Sequence, residues 1–304
     1  MRLKGNWATL LLPIQADEAI DFAALAEEID ILASARVDGI YSNGTAGEFH
    51  NQTEDEYRRI QDLLASRCAQ AGTPFVIGAC HSDPQVSRQR VRDATALKPA
   101  GIQVILPDWW PLTNAEAADF LAMMAEAAGG VPLILYNPPH AKRVLAPADI
   151  AAVTAGVPTV TGVKLGDGDA AWYAQARQHL SHLSLFVPGH HLATGMKEGV
   201  ASGAFSNVAC LSPSGAQRWT DLLRRDPDAG MDLERRLCAF MDEHIVPFRR
   251  DHGHANAALD KLLAAIGGWG PVGTRLRRPY RWIAMAEAER LRPVARAMLP
   301  ELFV

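Results

Sequence analysis

Short runs of β-branched and aliphatic residues recur at regular intervals along the first three quarters of the chain, and this repeat constrains the fold more than any other feature. Amphipathic stretches such as residues 21–35 and 53–71 separate the runs, with apolar residues at the three- and four-residue spacing of a helix. Near-continuous apolar strands that alternate with helices imply a parallel sheet covered by helices. The eight runs are 8–13, 39–44, 74–80, 101–107, 132–138, 159–165, 183–189 and 203–209.

Eight such strand–helix units predict an α/β fold, a closed (β/α)₈ barrel within residues 1–225. An open, doubly wound parallel sheet is the alternative. Residues 226–304 contain no strand run and instead show three helical segments, at 231–248, 255–267 and 280–299. Because no flexible linker precedes them, we predict a C-terminal helical extension that packs on the barrel.

The composition limits the possible partners. The chain has 304 residues, 48% hydrophobic and 21% charged, with a formal net charge of −4, so we expect a large core and no nucleic acid or membrane partner. No apolar run approaches the roughly 18 residues of a membrane span. The four cysteines are widely spaced, which favours reduced thiols and a cytoplasmic location.

The ends of the predicted strands carry polar side chains. In a (β/α)₈ barrel, the residues at the carboxyl ends of the strands form the active-site mouth. Thr45 follows the second strand, Tyr136 and Lys164 end the fifth and sixth, and His190 follows the seventh. Ser206, with Asn207, is predicted on the eighth strand. These residues are therefore expected to lie close together.

Lys164 is the most informative of them. It ends the apolar run TVTGVK, although lysine is rarely buried without a partner, and only six of the 30 basic residues are lysines. An apolar setting disfavours the charged form of a lysine, and a neutral amine can form an imine with a carbonyl compound. Tyr136, one strand away, is placed to move protons. The simpler alternatives are a lysine with its head in solvent and a core tyrosine.

Several motifs in one order resemble the dihydrodipicolinate synthase / N-acetylneuraminate lyase family, the pyruvate-type class I aldolases. GTAGE (44–48) resembles the family's GTxGE loop, YNPP (136–139) its YNxP motif, and GVKLGDGD (162–169) its Schiff-base strand. VPGHH (187–191) and ASGAFSN (201–207) match later family motifs more loosely. The similarity covers residues 7–213, and the helical tail fits the family's C-terminal helices.

The resemblance implies that Lys164 forms the imine, Tyr136 is the general acid/base and Thr45 relays protons. The backbone N–H groups of Thr45 and Ala46, in a turn that contains Gly47, would hold the carboxylate of a 2-oxo acid. It also implies a homo-oligomer, dimer or tetramer, and chemistry through the covalent imine alone, without a cofactor or metal ion. Asp167 and Asp169 are interpreted as ending the strand and capping the next helix.

Other candidate contacts lie around these residues. Ser206 is a candidate substrate contact at the mouth. His190, with His191 beside it, is a candidate contact for a hydroxyl or carboxylate, and the alternative is that both histidines simply start the next helix. Trp109, in LPDWWPLT, is a candidate wall of the substrate pocket. Packing of Trp109 and Trp110 at a subunit contact is an equal alternative.

Three departures from the family's pattern concern the substrate. Ala46 stands where lysine-biosynthetic members have a second threonine, and Trp109 and Trp110 stand in place of tyrosines. Ala141 stands near the usual position of an arginine that grips a distal carboxylate. We therefore expect a 2-oxo-3-deoxy sugar acid or a related pyruvate-yielding substrate, and leave cleavage, dehydration and condensation open.

Three other functions remain as alternatives. The first is 4-hydroxy-tetrahydrodipicolinate synthase itself. The second is a metal-dependent enzyme on the same barrel, suggested by two histidine pairs, His190–His191 and His252/His254. It is disfavoured because the last pair lies in the helical tail and no set of carboxylates and histidines stands at matching strand ends. The third is a sugar-acid-binding descendant without activity, disfavoured because Lys164, Tyr136 and Thr45 occur together.

Overall fold

The computed structural model describes residues 2–166 and 168–304, and the position predicted as a strand end at Asp167 lies outside them. Eight parallel strands pair in chain order, and β8 pairs with β1 to close the barrel. The predicted (β/α)₈ barrel is therefore confirmed. The strands are β1 Gly5–Thr9, β2 Gly39–Ser42, β3 Phe75–Gly78, β4 Gly101–Ile105, β5 Leu133–Tyr136, β6 Val160–Lys164, β7 Ser184–Val187 and β8 Ala201–Ser206.

Helices follow the strands around the barrel, as the apolar spacing predicts. Two of them, α2 and α4, begin with a reciprocal capping box and end at a glycine in the left-handed region, so their bounds follow from local sequence. The helices are α1 Phe22–Ser34, α2 Glu54–Ala71, α3 Pro84–Ala96, α4 Asn114–Ala128, α5 Pro147–Thr154, α6 Ala170–Leu180, α7 Leu192–Lys197, α8 Asn207–Leu211 and α9 Pro213–Arg225. The Asp169 side chain caps α6, as predicted, by accepting from the Trp172 N–H at 2.9 Å.

The bounds of two strands were predicted wrongly. The first strand, expected at 8–13, is β1 at Gly5–Thr9, because Gly5 and Asn6 pair with β8 and the apolar residues after Thr9 continue as buried loop. The last, expected at 203–209, is β8 at Ala201–Ser206. It ends there because the Ser206 hydroxyl accepts from the Ala209 N–H and starts α8. Asn207 therefore begins a helix and is not on the strand.

Aromatic side chains fill the barrel interior beneath the mouth. Trp7, Tyr41, Phe186 and Phe205 are almost fully buried there, and Tyr41 and Phe205 meet edge to face with ring centroids 4.6 Å apart. Gly39 has no room for a side chain, since an added Cβ would lie 2.1 Å from the Trp7 ring. Because these rings fill the barrel interior, the side chains of Lys164 and Tyr136 lie above them, at the mouth.

The C-terminal segment folds into further helices that contact the barrel helices. Helix α10 (Met231–Phe240) lies against α7, and a π-helical turn (Met241–Ile245) joins it to α11 (Val246–Arg250). Helix α12 (Asn256–Gly267) packs on α8 and on α13 (Met285–Met298). Helices α11 and α12 in this way come close to the carboxyl ends of the strands.

None of the helices in the described part of the chain is both long and apolar enough to cross a membrane.

Candidate active site

Lys164 and Tyr136 stand side by side because the register of β5 and β6 pairs these two residues directly. Lys164 Nζ lies 4.2 Å from the centre of the Tyr136 ring and 5.4 Å from that of Phe205. The amine is half-buried and surrounded mainly by aromatic faces. The structure thus brings together the two residues that the sequence placed at neighbouring strand ends.

Tyr41 is a third member of this group, and sequence reasoning missed it. Lys164 Nζ donates a hydrogen bond to Tyr41 Oη at 3.0 Å, and the Tyr41 side chain is otherwise buried inside the barrel. Burial raises the pKa of Tyr41, so its hydroxyl stays protonated. In the sequence, Tyr41 is an ordinary residue of an apolar strand, and only the register of the closed barrel places its hydroxyl at Lys164.

Thr45 reaches Tyr136 from the loop after β2. Thr45 Oγ1 donates to Tyr136 Oη at 3.4 Å, a long contact that connects two of the three predicted catalytic residues. Burial raises the pKa of Tyr136, an effect that the Lys164 charge opposes. Tyr136 is therefore a phenol at neutral pH, in the form that donates a proton.

The GTAGE turn presents two backbone donors beside this pair. Neither the Thr45 nor the Ala46 N–H donates to a described residue, and both residues line the cavity of Lys164. Gly47 makes the turn possible, since an added Cβ would lie 2.9 Å from the Asn43 nitrogen. Two adjacent free N–H groups suit a carboxylate. Gly47 itself does not line the cavity and acts on the turn only.

The cavity at the mouth measures about 230 Å³ and opens beside Lys164. The strand ends supply one side of it, and the C-terminal helices supply the other. Arg249 of α11 and Asp260 of α12 both line it, and the sequence analysis named neither. The sequence offers a signal only for Asp260: α12 is apolar on nearly all sides, so its two adjacent charged residues, Asp260 and Lys261, need partners within the protein.

His190 lines this cavity, but Ser206 does not. Asn207 Nδ2 lies 2.9 Å from His190 Nδ1, and burial lowers the pKa of His190 to about 4, so the imidazole is neutral at neutral pH. The Ser206 hydroxyl is engaged as the cap of α8. Asn207, rather than Ser206, is the polar group that α8 contributes to the cavity wall.

Trp109 and Trp110 lie away from the Lys164 cavity. Their side chains are 86% and 78% exposed, and neither lines the mouth. Lys142 Nζ donates to the Trp109 carbonyl at 2.9 Å, and Arg143 Nη1 donates to the Leu112 carbonyl at 2.6 Å. Both cations that follow Ala141 are therefore used to hold the loop after β4.

A second cavity of about 270 Å³ adjoins the first, and Thr45 and Tyr136 line both. Its wall includes the side chains of His50, His81 and His140. Within residues 2–166 and 168–304, no group of three or more His, Cys, Asp or Glu residues is arranged to hold a metal ion.

Comparison with known proteins gives matches along the whole chain. The model of the dihydrodipicolinate synthetase family matches residues 2–289. A 4-hydroxy-tetrahydrodipicolinate synthase of Methanothermobacter thermautotrophicus is 27% identical over 79% of this chain and 87% of that protein. An N-acetylneuraminate lyase of an Enterobacter species is 24% identical over 61% of this chain, and the match spans only 62% of the lyase.

Solved structures share the fold at low identity. The prophage protein YagE of Escherichia coli K12, described as a member of the dihydrodipicolinic acid synthase family in complex with pyruvate, has a TM-score of 0.85 and 19% identity. The match covers 97% of this chain and 98% of YagE. A dihydrodipicolinate synthase of Bacteroides thetaiotaomicron has a TM-score of 0.83 and 18% identity over 97% of this chain and 98% of that one.

Proposed function

The chain belongs to the dihydrodipicolinate synthetase family, a family of lyases, and on that premise we propose that it is an imine-forming class I aldolase or dehydratase acting on a 2-oxo acid. The observation that carries the proposal is the placement of Lys164 Nζ at the mouth cavity, 3.0 Å from Tyr41 Oη and against the Tyr136 ring. No cofactor is proposed, because the lysine itself supplies the electron sink.

Lys164 and Tyr136 supply the nucleophile and the proton transfers of the proposed cleavage. The Lys164 amine attacks C2 of the oxo acid, and one N–H proton passes to the former ketone oxygen. Tyr136 gives its proton to that hydroxyl, water leaves, and a protonated imine and a phenolate remain. The phenolate then takes the proton of the C4 hydroxyl while the C3–C4 bond breaks, which yields an enamine and an aldehyde.

The same residues complete the cycle. Tyr136 protonates the enamine at C3, and water hydrolyses the imine to release pyruvate and the free amine. Loss of a C4 or C5 hydroxyl instead of C–C cleavage would make the same site a dehydratase. Thr45 relays protons to and from Tyr136, and the N–H groups of Thr45 and Ala46 hold the substrate carboxylate.

We propose a 2-oxo-3-deoxy sugar acid or a similar 2-oxo acid as the substrate. Ala141 leaves the usual distal position without a cation, and Lys142 and Arg143 are engaged in loop contacts. His190 and Asn207 offer the cavity neutral polar groups that suit hydroxyls. A 4-hydroxy-tetrahydrodipicolinate synthase is the second candidate, because Arg249 gives the cavity one cation from another element.

A substrate panel tests the proposal. The purified protein is incubated with 2-oxo-3-deoxy sugar acids and assayed for pyruvate release and for water loss, and in parallel for condensation of pyruvate with aspartate semialdehyde. We expect a sugar acid to be preferred. A kcat/KM for aspartate semialdehyde of about 10⁴ M⁻¹s⁻¹ or more, the lower end of ordinary enzymes, would instead select the synthase.

We also propose a homo-oligomer in the cytoplasm. Two neighbouring tryptophans as exposed as Trp109 and Trp110 are typical of a subunit contact rather than of a solvated loop. None of the four cysteines, all of which the structure describes, forms a disulfide, in keeping with a reducing compartment. Light scattering of the wild type and of a Trp109→Ser/Trp110→Ser variant would measure the oligomeric state.

A further inference from the structure

Asp260 is a carboxylate in the Lys164 cavity that the proposed chemistry has not yet used. It lies on α12, where nine of the twelve residues are buried, and its neighbour Lys261 turns the other way to pair with Glu48. Asp260 is half-buried and lines the cavity together with Lys164. No described residue donates a hydrogen bond to its carboxylate, although other carboxylates of the tail, such as Glu234, accept backbone or arginine N–H groups.

The buried position of Asp260 in the Lys164 cavity favours proton exchange between the two groups. Burial raises the pKa of Asp260 to about 7, and the positive charge of Lys164 opposes that rise. A carboxyl group with a pKa near neutrality can both accept and return a proton. The titratable and charged groups that face it are Lys164 of β6, Tyr41 of β2, Tyr136 of β5, His190 of the loop after β7, Cys210 of α8 and Arg249 of α11.

We infer that Asp260 is the proton acceptor that converts the Lys164 ammonium group into the free amine that attacks the substrate. The inference rests on the proposed imine-forming function. One N–H bond of the ammonium breaks and one O–H bond forms on Asp260, with water in the cavity carrying the proton between the two groups. Asp260 keeps this proton while the imine forms and reacts, and returns it to the amine after pyruvate leaves.

The other groups near Lys164 are unsuited to this step. Tyr41 is already a protonated phenol, and Tyr136 needs its own proton for the departing hydroxyl. The carboxylate of Glu48 is bound to Lys261 at 2.6 Å. His190 lies at the cavity wall with its Nδ1 against Asn207, and its pKa of about 4 makes it a weak base. Asp260 is the remaining acceptor among the described residues of the cavity.

The test measures how the rate of imine formation depends on pH. The protein is mixed with labelled pyruvate, and borohydride quenches at set times trap the imine on Lys164. In the wild type the rate should rise with pH up to about 7 and then level off, because only the carboxylate form of Asp260 accepts a proton. In Asp260→Asn the proton must pass to solvent, so the rate at pH 7.5 should fall about 10²-fold and keep rising beyond pH 9.

Two variants make this result specific. Asp260→Glu, which keeps the carboxylate, should restore a levelling pH profile, whereas Asp242→Asn, an exposed carboxylate of the π-helical turn, should match the wild type. Unfolding midpoints show that each variant is folded. A wild-type profile in Asp260→Asn, or a loss of rate that is equal at every pH, would overturn the role of Asp260 while leaving the imine intact. Absence of any trapped imine in the wild type would overturn the proposed function and this inference together.

Discussion

Two lysines are withdrawn from solvent in this protein, and their surroundings are opposite. Lys261 is fully buried, and its Nζ donates to Glu48 Oε1 and to the Arg275 carbonyl, both at 2.6 Å. Lys164 faces a cavity, and its Nζ meets aromatic rings and the Tyr41 hydroxyl. A buried lysine whose hydrogen bonds are satisfied within the protein is structural, whereas one that opens onto a cavity is available to a substrate.

The two ends of the GTAGE motif likewise face different surroundings. Its final residue, Glu48, adopts a left-handed conformation with φ of 52° and is tied to α12 through Lys261. Thr45, three residues earlier, lines the Lys164 cavity. Lys261 therefore holds the loop that presents Thr45 and the free N–H groups, and the two lysines serve one site in different ways.

The largest effect is expected for Lys164→Ala. Incubation of the wild type with pyruvate and borohydride should add one reduced pyruvate per chain, on the peptide that contains Lys164. The variant should lose this label and all turnover, because no other amine opens onto the cavity among the described residues. Lys142→Met, which removes an exposed lysine of the loop between β5 and α5, is the control and should be labelled normally. Unchanged labelling of Lys164→Ala would place the nucleophile elsewhere.

Lys261→Met should have the opposite effects to Lys164→Ala: it should lower the stability of the fold and leave the labelling of Lys164 intact. It leaves the Glu48 carboxylate buried without its partner, so we expect a loss of about 3–5 kcal/mol in the free energy of unfolding, measured by denaturant titration. Lys197→Met, which breaks an exposed pair with Asp228, should change stability far less. At a temperature where Lys261→Met is folded, Lys164 should still be labelled. If the Lys261→Met variant were stable but could not be labelled, the imine-forming role given to Lys164 would be wrong.

Tyr136→Phe should slow turnover by about 10²-fold or more, the usual scale of general acid–base catalysis. The ring that packs on Lys164 remains and only the hydroxyl is lost, so the trapped imine should still form at equilibrium. Measuring kcat and the extent of labelling in the same preparation separates the two effects. A near-normal kcat would transfer the proton role to Thr45 or to a histidine of the neighbouring cavity.

The strand half of the site was predictable from sequence because barrel topology is regular. Parallel strands end at one face, so Tyr136, Lys164 and Thr45 had to meet there once eight strands were recognised. Local pattern could not place Ser206, whose hydroxyl caps α8, or Trp109, whose loop turns outward and binds Lys142 through the backbone. For Ser206 a local hydrogen bond engages the hydroxyl, whereas the loop of Trp109 is held by a contact from a residue 33 positions further along the chain.

The side of the cavity that the C-terminal helices supply was not predictable, for a different physical reason. No strand register places α11 and α12, so their orientation depends on helix packing: α12 packs against α8 and α13, and α11 packs against α12 and the π-helical turn. In the sequence, Arg249 resembles an ordinary exposed charge, and no local pattern assigns Asp260 to the site. The apolar character of α12 on almost every side was the available sign that Asp260 and Lys261 required partners inside the protein.

The smallest effect is predicted for Arg249, which differs from other arginines in the same way that Lys164 differs from Lys261. Arg236 pairs with Glu301 and Arg277 with Glu56, whereas Arg249 Nη1 donates only to Asn256 Oδ1, at 3.3 Å, among the described residues. Arg249 lines the Lys164 cavity, so an anionic group at the far end of a substrate is its natural partner. A substrate with a neutral end makes no use of it.

Arg249→Gln should therefore raise KM about tenfold for 2-oxo acids that carry a second carboxylate. This factor corresponds to the lower end of the free-energy range for a hydrogen bond to a charged group, because the guanidinium is exposed. KM for sugar acids with a neutral end, and imine formation with pyruvate, should not change. Arg250→Gln, which removes the neighbouring arginine paired with Asp251, is the matched control. Equal KM values for both substrate classes in Arg249→Gln would mean that the distal end lies elsewhere. The selective loss would show that the tail, rather than the loop around Ala141, chooses the substrate.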